Sequence, residues 1–181
     1  YLNPQSWSLL SGAANSERTH RIKQSVSEQL FSPYGVMMLA PSYTHMHEHI
    51  GRLTQKFPGS AENGSVYNHA AIFYVYSLFE CGDADAAFEL MRKMLPSQDA
   101  ADYLRRGQMP NFIPNYYRGA YNQFPEVAGQ SSQLFNTGTV AWFYRALIDG
   151  LLGLRGCGSG ITIKPLLPAH WPKLRVERRS R

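Results

Sequence analysis

A nearly unbroken apolar segment, NHAAIFYVYSLF at residues 68–79, limits the folds open to this chain. Its apolar residues neither alternate with polar ones nor keep to one stripe, so the pattern predicts a helix that is buried on most sides and ends near Gly82. A second helical pattern follows at residues 83–96, with acidic residues at its start and apolar residues from Ala87 to Met94 on one face. The two segments predict a helical hairpin inside a mainly α-helical protein.

Two further segments carry a helical period. Residues 16–31 place apolar side chains on one face, with Ser16 as the candidate N-cap. A pattern that starts at Asn136 continues until glycine ends it at Gly153. Long loops rich in polar and aromatic residues separate these helices, and such loops usually carry the site of a helical protein.

Paired helices joined by alternating short and long loops predict an α/α-barrel whose loops gather at one end. After residue 156 the pattern changes to the short alternation of strands, first in GITI and then in LRVERR. We therefore expect residues 1–156 to be barrel and residues 157–181 to begin a small β domain. Tyrosine and tryptophan rings beside polar side chains suit the binding of sugars in the barrel loops.

Composition excludes several classes of function. The chain has 181 residues and a net charge of +5, but five of its basic residues stand in the final segment 173–181, so we expect no nucleic-acid partner. No run approaches the roughly 18 apolar residues of a membrane span, so we expect no membrane partner. Cys81 and Cys157 lack the spacing of a zinc or redox pair, which favours free thiols and a cytoplasmic location.

The stretch THMHEHIG holds alternating histidines, His45, His47 and His49. An extended H-x-H-x-H segment turns three imidazoles to one side and could bind zinc or copper. A histidine-rich surface loop needs no metal, however, and the sequence offers no second ligand cluster to close the coordination shell. We therefore expect no metal.

Five residues point to the binding of anions. Arg52 and Lys56 stand four apart; in a helix or turn they would share one side and clamp a carboxylate, or they are simply two solvated surface charges. His69 and the pair Thr137 and Gly138 lie at the starts of two helices, where backbone N–H groups attract a phosphate or carboxylate. Each is also compatible with an ordinary structural or capping role.

The blocks AENGSVYNHA, FNTGTVAWFYRALIDGLLGLRG and GITIKPLLPAHW occur in this order over nearly the whole chain. Together they resemble the C-terminal part of the inverting disaccharide phosphorylases of glycoside hydrolase family 94. The resemblance implies the last portion of an (α/α)6 barrel followed by a β domain. It also implies a reaction in which inorganic phosphate attacks the anomeric carbon of a β-glucosyl unit, while an aspartic acid protonates the leaving oxygen.

The same resemblance assigns roles to residues. His69, Thr137 and Gly138 match the phosphate ligands of the family, and Glu62 matches a glutamate that faces the sugar subsites. The family's general acid lies upstream of the segment that matches Tyr1, so we expect no catalytic residue in this chain and no activity of the chain alone. Phosphate is a substrate, and no cofactor is implied.

The acceptor is indicated by a departure from the family pattern. Many members that cleave neutral disaccharides have lysine where this chain has Ala61. The members that act on cellobionic acid resemble it in SAENG and NYYRGAYNQFP and hold the gluconate carboxylate with an arginine and a lysine spaced like Arg52 and Lys56. The resemblance thus implies a cytoplasmic homodimer that converts cellobionic acid and phosphate to α-glucose 1-phosphate and gluconate. The alternatives are cellobiose or another β-glucoside as substrate, or a non-catalytic carbohydrate-binding part of a β-glucan synthase.

Overall fold

The computed structural model describes residues 1–95, 99–107, 112–133 and 138–177. These residues are mainly α-helical, as the sequence predicts. The helices are α1 (Leu2–Leu10), α2 (Ser16–Leu30), α3 (Asn68–Glu80), α4 (Ala84–Met94), α5 (Ala100–Arg106) and α6 (Thr139–Arg145), and α6 continues as a π-helical turn over Ala146–Leu151. The strands form three short antiparallel pairs: β1 (Phe31–Ser32) with β2 (Gly35–Val36), β3 (Val66–Tyr67) with β4 (Tyr116–Tyr117), and β5 (Leu154–Cys157) with β6 (Gly160–Ile163).

The predicted hairpin of α3 and α4 is confirmed. Helix α3 packs against α1, α4 and α6, and its side chains are buried on nearly all sides. Asp83 caps the N-terminus of α4 by accepting a hydrogen bond from the N–H of Ala86. No helix in the described ranges has both the length and the hydrophobicity to cross a bilayer.

The N-cap predicted for α2 is wrong by one residue. The side-chain Oδ1 of Asn15 accepts from the N–H of Arg18 at 2.9 Å, and Ser16 is already helical. Asparagine and serine are both good N-caps, and adjacent candidates cannot be separated by residue type alone.

Two loops, the segment before α3 and residues 112–133, pack against each other beside the start of α3. β3 pairs with β4, which ties the segment before α3 to the long loop over residues 112–133. The loops approach so closely that a Cβ atom on Gly119 would lie 2.0 Å from the carbonyl oxygen of Gly64. Glycine at position 119 is thus required by space, and the two loops form one packed unit.

The C-terminal segment agrees with expectation in part. The strand predicted at GITI is present as β6 and pairs with β5, whereas residues 164–177 contain no strand, so the predicted strand LRVERR is wrong where it is described. This segment instead folds back onto α4, where the rings of Trp171 and Phe88 lie 4.8 Å apart. Residues 174–177 are exposed and pair with no strand in the described part of the chain, so their weak alternating pattern does not form a sheet.

Candidate active site

Three of the predicted site residues line one cleft. Arg52 lies in a 3-10 turn (Arg52–Gln55), Lys56 follows that turn, and Glu62 comes from the loop beyond it. With Leu53 they enclose about 300 Å³, which we call the cationic cleft. Two cations and one carboxylate give the cleft a positive charge, so it suits a polar ligand that carries a carboxylate.

The cationic cleft is held by a buried threonine that sequence reasoning did not single out. Thr54 is 3% exposed, and its hydroxyl accepts a hydrogen bond from the N–H of His47 at 2.8 Å and donates one to the carbonyl of Gly51 at 2.9 Å. These two hydrogen bonds fix the backbone of the turn, because a buried hydroxyl that loses its partners lowers the free energy of unfolding by about 1–3 kcal/mol. The turn therefore presents Arg52 and Lys56 from a fixed backbone.

His69 and Gly138 meet where α3 and α6 begin. His69 is the second residue of α3, and Gly138 is the N-cap of α6. A Cβ atom on Gly138 would lie only 2.4 Å from His69 Nε2, so the imidazole lies directly against the Gly138 backbone. Thr137 lies outside the described residues. The N–H of Asn68 donates to the carbonyl of Asn115, and the imidazole and the following N–H groups of the first turn of α3 are hydrogen-bond donors that can serve an anion such as phosphate.

A group of aromatic rings supports His69. The imidazole packs on Phe73 with ring centroids 4.8 Å apart, and Phe73 in turn contacts Trp142 at 4.9 Å and Trp7 at 5.3 Å. These rings come from α1, α3 and α6, so the orientation of His69 depends on the packing of three helices. Trp7 lies in a helix that sequence reasoning missed.

Tyr67 links the cationic cleft to the start of α3. Burial raises the pKa of its phenol, the negative charge of Glu62 raises it further, and a hydrogen bond with the Asn115 side chain partly offsets both. Glu62 is therefore close enough to act on Tyr67, which is the N-cap of the helix that carries His69. The phenol stays protonated at neutral pH because its pKa lies above the ordinary value near 10.

The histidine loop does not form a ligand sphere. The rings of His45 and His47 have centroids 4.3 Å apart, and those of His47 and His49 are 5.7 Å apart, so the imidazoles pack on one another. Among the residues that the structure describes, no three His, Cys, Asp or Glu side chains are arranged to hold a metal ion.

Comparison with known proteins places this chain in a family. The family model described as "Glycosyl hydrolase 94 superfamily, catalytic domain" matches residues 1–153. The chain is 54% identical over 182 residues to a cellobionic acid phosphorylase of Neurospora crassa and 35% identical over 181 residues to a 3-O-beta-D-glucopyranosyl-beta-D-glucuronide phosphorylase of Paenibacillus borealis. These alignments cover all of this chain and 23% of each relative.

A third relative is named as a synthase and not as a phosphorylase. The chain is 32% identical over 180 residues to a cyclic beta-(1,2)-glucan synthase of Rhizobium meliloti, an alignment that covers 96% of this chain and 6% of the synthase. The family match includes both clusters of site residues described above, since it extends from the N-terminal helix beyond the π-helical turn. The chain therefore belongs to the glycosyl hydrolase 94 superfamily and matches part of its catalytic domain.

Proposed function

We propose that this chain is the C-terminal part of the (α/α)6 catalytic barrel, and the start of the following β domain, of a phosphorylase that acts on cellobionic acid. Inorganic phosphate displaces gluconate from the anomeric carbon with inversion, giving α-glucose 1-phosphate. The observation that carries the proposal is the convergence of Arg52, Lys56 and Glu62 on one cleft. The similarity to the cellobionic acid phosphorylase of Neurospora crassa supports it.

Each cluster has one task in this reaction. Arg52 and Lys56 bind the gluconate carboxylate, and a charge-assisted contact worth about 1.5–3 kcal/mol favours an aldonate over a neutral sugar by about ten- to a hundredfold. Glu62 faces the sugar hydroxyls. His69, Gly138 and Thr137 bind the attacking phosphate, while the proton for the leaving oxygen comes from a carboxylic acid outside this chain.

The acceptor assay tests this function. The full-length protein is incubated with α-glucose 1-phosphate and either gluconate or glucose, and phosphate release is measured. We expect release with gluconate. Release with glucose alone would support a cellobiose phosphorylase instead, and release with neither would favour the synthase-like alternative suggested by the Rhizobium meliloti relative.

A variant tests the role of the cationic cleft. Arg52→Ala should raise the KM for gluconate by about tenfold or more, because one charge-assisted contact is lost, and should raise the KM for glucose 1-phosphate far less. Arg21→Ala serves as the control, since Arg21 is an exposed arginine on α2 that does not line the cleft. Equal effects of Arg52→Ala on both constants would contradict the assignment.

A homodimer and a cytoplasmic location also belong to the proposal. The mass of the full-length protein in solution tests whether it is a homodimer.

A further inference from the structure

Asn63 is completely buried, although it lies in a polar loop directly after Glu62. Its Oδ1 accepts a hydrogen bond from the N–H of Tyr43 at 2.8 Å. Its Nδ2 donates to the carbonyl of Tyr43 and to the carbonyl of Lys56, both at 2.8 Å. One side chain thus ties two separate places, Tyr43 and Lys56, to the loop that contains Asn63.

The main chain of Asn63 adds two more bonds. Its N–H donates to the carbonyl of Ser60 at 2.9 Å, and its carbonyl accepts from the N–H of Gly59 at 2.8 Å. Between residues 43 and 65 the regular structure is limited to the 3-10 turn, so no sheet ladder or long helix fixes this segment. The spacing between Lys56 and Glu62 is therefore set by bonds between loop residues, and the bond from Asn63 Nδ2 to the Lys56 carbonyl joins the two sides of the cleft directly.

We infer that Asn63 is a positioning residue, which holds Lys56 and Glu62 at the separation needed to grip the aldonate acceptor. The inference rests on the proposed function and deepens it, because it names what sets the geometry of the cationic cleft. Asn63 does not touch the acceptor: its Oδ1 and both Nδ2 hydrogens are engaged by the backbone. It acts through the Lys56 carbonyl and through its chain neighbour Glu62.

The chain offers a matched control. Asn68 is also completely buried, and its Nδ2 donates to the carbonyl of Pro114 at 2.7 Å. It precedes His69, however, and so belongs to the start of α3 and not to the cleft. If buried asparagines only support the fold, the two alanine variants should behave alike.

The experiment measures both substrates in the synthetic direction with the full-length protein. Asn63→Ala should raise the KM for gluconate by about tenfold, the equivalent of one or two lost buried hydrogen bonds, and change the KM for glucose 1-phosphate less than about twofold. Asn68→Ala should affect glucose 1-phosphate more than gluconate. The same rise for both substrates in both variants would overturn the inference.

A mutant cycle separates positioning from an independent contribution. In a background that lacks both positioned side chains, Lys56→Ala with Glu62→Ala, Asn63→Ala should add less than about threefold to the KM for gluconate, because residues that act as a unit are not additive. A full tenfold addition would overturn the inference. If Asn63→Ala does not fold, Asn63→Asp keeps the Oδ1 acceptor, loses both donations, and should change the constants in the same direction.

The acceptor assay on the unmodified protein reports on the proposed function alone. If that protein uses glucose and not gluconate, the function fails, and the same variants are measured with glucose. Hydrogen exchange gives a readout that needs no activity: Asn63→Ala should speed amide exchange in residues 43–56 and leave residues 69–80 unchanged. Unchanged exchange in residues 43–56 would overturn the inference whatever the substrate.

Discussion

His69 and Gly138 are far apart in the chain and in contact in the fold. Because a Cβ on Gly138 would lie 2.4 Å from His69 Nε2, even alanine must displace the imidazole. The φ of Gly138 is −104°, a value that alanine tolerates, so the effect is steric and not conformational. Gly138→Ala should therefore raise the KM for phosphate by about tenfold through loss of one charge-assisted contact.

The measurement is phosphorolysis by the full-length protein at varied phosphate. Gly156→Ala is the control, since a Cβ there meets no atom within 4 Å. An unchanged KM for phosphate in Gly138→Ala would show that the imidazole is not a phosphate ligand.

At the residue scale, the sequence indicates which charged residues can bind a ligand, but it does not indicate which buried polar residues fix their positions. The spacing of Arg52 and Lys56 was visible because cations four apart share a side of a turn. Asn63 and Thr54 carry no such signal: each is a single polar residue inside an irregular loop, and its burial depends on which distant backbone groups reach it.

At the scale of elements, long and strongly patterned helices were predictable. Helix α3 was found because its apolar run fits only a buried helix, and α4 because its apolar face and acidic start agree. The nine-residue α1 and the seven-residue α5 were missed, since short helices owe their stability to tertiary packing. In α1, Pro4 also resembles a helix breaker, although proline is tolerated in the first turn.

The N-cap of α2 gives a test at this scale. Asn15→Ala removes the acceptor for the Arg18 N–H and should destabilise the N-terminus of α2 by about 1 kcal/mol, whereas Asn15→Asp should keep the cap. Amide exchange of residues 16–20 measures the difference. Equal exchange in the two variants would argue against a capping role for Asn15.

The packing of the π-helical turn on α3 gives a second test. A Cβ on Gly150 would lie 2.6 Å from Phe79 Cδ2, and Phe79 is 1% exposed, so the ring cannot easily move aside. Gly150→Ala should lower stability by about 1–3 kcal/mol through overpacking. Gly160→Ala, where a Cβ meets nothing within 4 Å, should leave the Tm of the full-length protein unchanged, and a similar Tm for both variants would contradict this account.

At the scale of the whole molecule, the C-terminal hairpin leaves apolar side chains exposed. Ile161 is 68% and Ile163 is 67% exposed, and both line a cleft of about 580 Å³ with Leu154, Leu174 and other apolar residues. The helical part adds further exposed aromatic and aliphatic groups on α1 and α6. Contiguous apolar surface of this kind indicates a face that another part of a protein covers.

Residues 1–181 expressed alone should therefore aggregate and bind a hydrophobic dye, whereas the full-length protein should keep the size of the proposed homodimer and bind none. Both properties result from the exposed apolar side chains of the hairpin. The paired substitution Ile161→Thr and Ile163→Thr should therefore reduce aggregation and dye binding of the isolated chain, because threonine keeps the branched shape and removes apolar surface. Light scattering and dye fluorescence of the two chains measure this. The same pair should lower the Tm of the full-length protein if its remaining part covers the hairpin. A monomeric isolated chain without dye binding would contradict this prediction. It would mean that the apolar face of the hairpin is stable in contact with water and is not covered by another part of the protein.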